Sequence, residues 1–231
     1  MSKISDVGLM VPINNTTMEP ELARLLPDLG ALTTLRIPRD AGLLTSQTIG
    51  AYKLRALDLA KDLIDSGIDA LAYGCTAASF LSGPQADAAF ADELSSVIGK
   101  PVVTTARAMV LALQAAQARK IAVVTPYQDS VNTQLAAFLE AGGIEVLVLN
   151  SFRAATVQEL GQITSAQVDA LARSTMTNDC DAMLIACSQL PTIDLLQSLQ
   201  ESFGRPVFSS VQSTAWQVGK VLDAINAGTA A

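Results

Sequence analysis

The sequence predicts an α/β fold of two pseudo-symmetric halves, each on a parallel four-stranded sheet, with the active site between them. Three observations predict it. Short β-rich apolar runs alternate with stretches of helical spacing along the chain, the pattern of a parallel sheet covered by helices on both faces. Glycines close several helical stretches, where a left-handed residue is often required. The second half of the chain then repeats the first in the same order.

The elements follow in turn. Val7–Val11 is the first strand and Leu32–Ile37 the second. Gln47–Ser66 carries helical spacing up to Gly67, and Ala70–Tyr73 is the third strand. A helix over Asp87–Val97 stops at Gly99, strand Val102–Thr104 follows, and Ala106–Ala118 is helical. The cycle restarts with strand Ile121–Thr125, helix Ser130–Ala141 closed by Gly142, and strand Val146–Leu149. Helix Ser165–Met176, strand Ala182–Ala186, helix Ile193–Phe203 closed by Gly204, strand Val207–Phe208 and helix Ser213–Ala227 complete it.

Three matches establish the repeat. Asp69-Ala70-Leu71-Ala72-Tyr73-Gly74-Cys75 returns 112 positions later as Asp181-Ala182-Met183-Leu184-Ile185-Ala186-Cys187. Gly99-Lys100-Pro101-Val102 returns 105 positions later as Gly204-Arg205-Pro206-Val207, and Met10-Val11-Pro12 matches Val124-Thr125-Pro126 at 114. A duplicated unit of about four strands accounts for all three. It puts the boundary near residue 105: residues 1–105 form one flavodoxin-like half, rejoined by a C-terminal helix over 213–231, and residues 106–212 form the other. Sites in open α/β sheets lie beyond the carboxyl ends of the strands. Pro12, Cys75, Pro126 and Cys187 each end a strand, so pseudo-twofold packing brings the two cysteines to one cleft from opposite sides.

Composition narrows the chemistry. Half of the 231 residues are hydrophobic and 16% are charged, enough for a large core. The apolar runs stay far below the roughly 18 residues of a membrane span, and Met1–Asp6 lead into the first run without a signal-peptide pattern. A cytoplasmic globular protein with no membrane partner is expected. Net charge is −7 and the 15 basic residues are scattered, which disfavours nucleic acid as a partner. The chain has no histidine, which removes Ser-His-Asp and Cys-His nucleophile pairs and histidine metal sites. Three dispersed cysteines without C-x-x-C make no zinc cluster, and neither G-x-x-x-x-G-K-[ST] nor G-x-G-x-x-G occurs. The expectation is no metal and no cofactor. Proton transfer near neutrality falls to Cys, Lys, Tyr or a shifted carboxyl, and a thiol, with a reference pKa of about 8.5, needs the smallest shift.

Cys75 and Cys187 stand out from the third cysteine. Each closes an apolar strand, is followed by a hydroxyl residue (Thr76, Ser188) and precedes a turn whose N–H groups are expected to lower the thiol pKa. The competing account is a packing pair or a disulfide, and a reducing compartment opposes the disulfide. Cys180 has no partner in the repeat and reads as packing; Trp216 reads as core. Two thiols across a cleft allow a thiolate to remove a proton or attack carbon while a thiol gives a proton from the opposite face. That describes racemisation beside a carboxylate or addition and elimination across a double bond, provided donors hold the carboxylate. Candidate substrate-binding residues are Pro12, Asn14 and Asn15 in the first strand-end loop, Tyr127 in the equivalent loop, and Thr76 and Ser188 beside the thiols. Turn and N-cap duty competes for the Asn and Thr residues, and a surface aromatic role for Tyr127.

Val11-Pro12-Ile13-Asn14-Asn15-Thr16-Thr17-Met18-Glu19 resembles the N-terminal motif of maleate cis–trans isomerases. With Cys75, Thr125-Pro126-Tyr127 and Cys187, the chain is identified as a member of the Asp/Glu racemase superfamily, which also holds arylmalonate decarboxylase and EutA-like ectoine-utilisation proteins. The likeness runs from about Val7 to Ala227. It implies a cofactor-independent isomerase in which Cys75 adds to the maleate double bond to give a succinyl thioether. Cys187 would be the acid/base thiol, and Asn15 and Tyr127 would hold carboxylates. The decarboxylase has glycine where Cys75 stands, which argues against simple decarboxylation. Two departures from the isomerase pattern are Thr76-Ala77-Ala78 after the first cysteine, in place of Leu-Val-Ala, and Thr156-Val157 where the family carries a further carboxylate-binding Asn. The expected partner is a small carboxylate or dicarboxylate. A two-thiol amino-acid or carboxylic-acid racemase and a carboxylate-binding protein without turnover stand as alternatives, and a homodimer is expected from the prevalence of twofold assemblies.

Overall fold

Parallel strands buried on both faces read as continuous apolar runs, and the central strands here do so. The computed structural model describes residues 4–26 and 29–228. In chain order the elements are β1 (Ser5–Pro12), α1 (Met18–Leu25), β2 (Leu29–Ile37), α2 (Ile49–Ala60), β3 (Ala70–Tyr73), α3 (Thr76–Phe80), α4 (Pro84–Ile98), β4 (Val102–Thr104) and α5 (Thr105–Ala115). They continue with β5 (Lys120–Thr125), α6 (Asp129–Ala141), β6 (Glu145–Ser151), α7 (Val157–Gly161), α8 (Ser165–Thr175), β7 (Ala182–Ile185), α9 (Leu196–Phe203), β8 (Val207–Ser209) and α10 (Ser210–Asn226). Two parallel sheets result, ordered β2-β1-β3-β4 and β6-β5-β7-β8. All of β3 and β7 is buried.

The repeat is visible bond by bond. Val7 faces Ala70 in the first sheet and Ile121 faces Ala182 in the second. Asp69 accepts from the Asp6 N–H at 3.0 Å, clamping the start of β1. Its counterpart Asp181 accepts from the N–H groups of Arg119 and Lys120 at 2.9 and 2.8 Å, which holds its carboxyl below the usual range. Gly99 and Gly204 cap α4 and α9 in the left-handed region, at φ 66° and 59°, where a Cβ is strained. The prolines two residues on cannot continue a helix, and their carbonyls open the next ladder by accepting from Leu71 and Met183 at 2.9 and 3.0 Å. α5 and α10 follow the last strand of each sheet and pack on one another; α10 also meets β3, β4 and β8.

Several boundaries differ from expectation for identifiable reasons. Helices α1, α3 and α7 have eight, five and five residues, too short for a periodic signal. The single helix expected over Gln47–Ser66 ends at Ala60 and gives way to a 3₁₀ turn over Lys61–Leu63. The helix expected from Ile193 starts at Leu196, and the N–H groups of Thr192 and Ile193 ahead of it donate to Glu21 at 2.7 and 3.1 Å. Gly142 is not left-handed; Gly143 is, at φ 76°, while a Cβ on Gly142 would meet Val110 at 2.6 Å. Trp216, expected in the core, is half-buried on α10 with Lys220 Nζ 5.0 Å from its ring centroid. Residues 229–231 of the expected closing helix lie outside the described residues, as do Met1–Lys3. Among the described residues no helix is long and apolar enough to cross a membrane, and no cluster of His, Cys, Asp and Glu could hold a metal ion.

Candidate active site

Both ladders run to the residue before each cysteine and then release the chain. Gly74 N–H donates to Met10 O at 2.7 Å, and its counterpart Ala186 to Val124 O at 2.8 Å. Cys75 then turns out at φ −106°, ψ 95° as the N-cap of α3, while Cys187 enters a tight turn closed by Leu190 N–H on its carbonyl at 3.1 Å. Gly74 has no room for a side chain: a Cβ there would stand 2.5 Å from Met18 Sδ and 2.9 Å from Val11 Cγ1. The glycine before the thiol is thus set by the packing of α1 on β1.

The two thiols line one cavity of about 60 Å³. Pro12, Asn14, Asn15, Thr76, Tyr127 and Ser188 line it too, so the structure brings every residue singled out in the sequence to one place. Arg39, Leu43, Leu44, Ala77, Gln128, Val131, Leu160 and Gln189 complete the wall. These carried no sequence signal, because Arg39, Leu43 and Leu44 come from the connection between β2 and α2, and Val131 and Leu160 from short stretches of α6 and α7.

The hydroxyl residues after the cysteines bond to each other across the pseudo-twofold axis. Ser188 N–H donates to Thr76 Oγ1 at 3.0 Å, and Ser188 Oγ donates to Gly74 O at 2.7 Å. Asn15 Nδ2 donates to Ser188 Oγ at 3.0 Å, while its Oδ1 accepts from the Thr17 and Met18 N–H groups at 3.0 Å each. Asn15 therefore fixes the turn leading into α1 and ties the halves together at once. Glu21, itself buried, accepts from the Thr192 hydroxyl at 2.9 Å and reinforces the same seam. Asn14 Oδ1 accepts from Arg39 Nη1 at 3.2 Å.

Burial dominates the electrostatics. Cys75 and Cys187 are 4% and 6% exposed and unpaired. Burial pushes the Cys75 thiol up to about 11, against the Ala78 N–H, the Tyr52 hydroxyl and the charge of Arg39, which act the other way. Cys187 is likewise pushed up by burial, against the Tyr127 hydroxyl and the N–H groups of Gln189 and Leu190. The expectation that the turns lower the thiol pKa is corrected here. The N–H groups are present, with Gln189 N 3.4 Å from Cys187 Sγ, but loss of water outweighs them. Tyr127 packs edge-on against Phe80 at 5.6 Å, so it is no surface aromatic, and its buried hydroxyl meets Cys187 without full hydrogen-bond geometry. Tyr52, unmarked in the sequence, stands in the same relation to Cys75. Cys180 lies off the cavity with its sulfur 3.3 Å from Thr177 Oγ1.

Two neutral thiols with a tyrosine hydroxyl at each suit the delivery of sulfur to one carbon and a proton to its neighbour. Known proteins resemble this chain over most of its length. A family model described as arylmalonate decarboxylase matches residues 7–230. A maleate isomerase of Nocardia farcinica is 29% identical over 95% of this chain and 91% of its own. The arylmalonate decarboxylase of Bordetella bronchiseptica is 28% identical over 91% of this chain and 87% of its own. Among solved structures, a cysteine-to-serine mutant of the Nocardia farcinica maleate cis–trans isomerase with a covalently bound succinylcysteine intermediate superposes at a TM-score of 0.85. It has 27% identity and covers 96% of this chain and 94% of that one.

Proposed function

Because the chain belongs to the arylmalonate decarboxylase family, we propose that it is a cysteine-dependent cis–trans isomerase of maleate or a closely similar cis-enedioate. The observation that carries this reading is a pair of repeat-related thiols facing one small cavity. At about 60 Å³ the cavity is small, which suits a compact carboxylate.

Cys75 Sγ bonds to one alkene carbon as the π pair moves to the other, where the attached carboxylate spreads the charge. That carbon takes a proton from Cys187, and the proton leaving Cys75 restores Cys187. The net result is a thiol added across the double bond, a succinyl thioether. Rotation about the carbon–carbon bond that had been double, followed by the reverse steps, breaks the C–S bond and releases fumarate. Tyr127 and Tyr52 are placed to donate to whichever sulfur carries charge, and Asn14, Asn15, Thr76 and Ser188 fix the loops around the substrate. The reading includes a cytoplasmic homodimer, supported by three free thiols suited to a reducing compartment and by the prevalence of twofold assemblies.

Maleate incubated with the protein in D₂O under reducing conditions is expected to give fumarate by proton NMR. Cys75→Ser removes the turnover, and Cys187→Ser accumulates protein heavier by one maleic acid. Full activity in Cys75→Ser refutes the mechanism. A second reading, a two-thiol racemase of a small carboxylic acid, is favoured by the apolar wall of Leu43, Leu44, Val131 and Leu160. Deuterium entering an α-position without fumarate selects it.

A further inference from the structure

Arg39 is the one charged residue lining the thiol cavity among the described residues. Five other arginines (Arg24, Arg36, Arg55, Arg153 and Arg173) meet a carboxylate within 3.3 Å; no such ion pair forms at Arg39. Its guanidinium is held by neutral acceptors, with Nη1 on Asn14 Oδ1 at 3.2 Å and Nη2 on the Gly42 carbonyl. The Nε–H is buried without any partner. A buried donor on a cation carries a desolvation penalty until an acceptor arrives, and a carboxylate matches a guanidinium best. Arg39 also sits close enough to Cys75 and Tyr52 for its charge to act on both.

We propose that Arg39 is the receptor for one carboxylate of the substrate and makes the site selective for a dianion over a monoanion of the same shape. This rests on reading the cavity as the site of an enedioate isomerase. The cation faces a cavity otherwise walled by neutral groups, so it compensates charge that no other lining residue can. A monocarboxylate held by the amides of Asn14 and Asn15 alone would leave the Arg39 Nε–H unsatisfied.

Calorimetric titration with succinate and with succinamate tests this without chemistry, since neither has a double bond. Succinate binds the wild type more tightly than succinamate. Arg39→Gln weakens succinate about 10- to 100-fold, the range of a lost charge-assisted hydrogen bond, and changes succinamate by less than about threefold. Arg39→Lys recovers part of the succinate affinity, as a point charge without the fork would. If both ligands weaken alike in Arg39→Gln, Arg39 only holds its loop and the proposal is overturned. It is equally overturned by a wild type that shows no preference for the dianion. Maleate turnover is assayed beside the titrations. Fumarate formation with unchanged succinate binding in Arg39→Gln removes the Arg39 role alone. Dianion selectivity lost in Arg39→Gln without any fumarate from the wild type leaves Arg39 standing and removes the isomerase reading.

Discussion

Burial keeps both thiols neutral at rest, and for Cys75 this can be tested directly. Burial pushes its pKa to about 11, whereas an ordinary thiol titrates near 8.5. At pH 10 a pKa of about 11 leaves about a tenth of the sulfur ionised, while an unperturbed thiol would be about 97% ionised. At pH 8 the thiolate is only about one part in a thousand. Thiolate ultraviolet absorbance, taken as the difference between wild type and Cys75→Ser from pH 7 to 10, isolates this one group. The same difference in denaturant supplies the full amplitude. The expected folded signal stays near a tenth of that amplitude at pH 10, and Arg39→Gln lowers it further by removing the one positive charge that favours the thiolate. A midpoint at or below pH 9 would refute the reasoning, since it would mean that the Ala78 N–H, Tyr52 and Arg39 outweigh burial.

Two further outcomes concern the scaffold. Asp87 is 1% exposed, and burial pushes its carboxyl up to about 6 despite the Thr104 hydroxyl at 2.6 Å and the charges of Lys53 and Arg107. A raised carboxyl favours the neutral form in the fold, so its stabilising share is complete below about pH 4 and is lost as pH rises through about 6. Stability is expected to increase by about 2 kcal/mol from this group as pH falls from about 7 to about 4.5, and urea unfolding of Asp87→Asn across that window should lack the increase. Gly74→Ala must push Met18 Sδ and Val11 away from contacts of 2.5 and 2.9 Å, costing about 1–3 kcal/mol in urea unfolding and displacing Cys75 enough to lower turnover. An unchanged midpoint with full activity would show that α1 is free to shift.

The parts legible in the sequence are those where a local pattern and the tertiary structure ask for the same residue. Gly99-Lys100-Pro101 and Gly204-Arg205-Pro206 show this: glycine suits the left-handed cap, proline ends the helix, and the carbonyl starts a ladder. Cys75 and Cys187 were legible because the repeat put equivalent residues after equivalent strands. Arg39 was not, because the connections after β2 and after β6 show no shared motif, and its role depends on what it fails to meet. Leu43, Leu44, Val131 and Leu160 look like any core residues until the fold gathers them at one cavity. The sign of the thiol pKa shift was also out of reach. A turn N–H is implied by the chain direction, but burial of Cys75 to 4% exposure is a property of both halves packed together.

That packing changes how a cavity with two buried thiols should work. A resting thiolate beside an arriving dianion would set three negative charges against Arg39 alone, in a space that excludes most water. With both thiols neutral, the substrate meets one positive charge and hydrogen-bond donors, so binding precedes ionisation. The charge on sulfur then exists only as the C–S bond forms, and it passes to a carbon whose carboxylate can spread it. The pseudo-twofold axis supplies the geometry for this order of events. It pairs the two thiols, and tyrosines from unrelated places in the repeat join them, Tyr52 of α2 at Cys75 and Tyr127 of the loop after β5 at Cys187, so a proton can leave one end while another is delivered at the opposite end. The Thr76–Ser188 bond across the axis holds the two ends in register, because moving either cysteine loop breaks a buried hydrogen bond of the other. Chemistry that needed a low-pKa thiolate at rest would have no use for such burial, whereas addition followed by elimination uses the neutral thiol both before and after turnover.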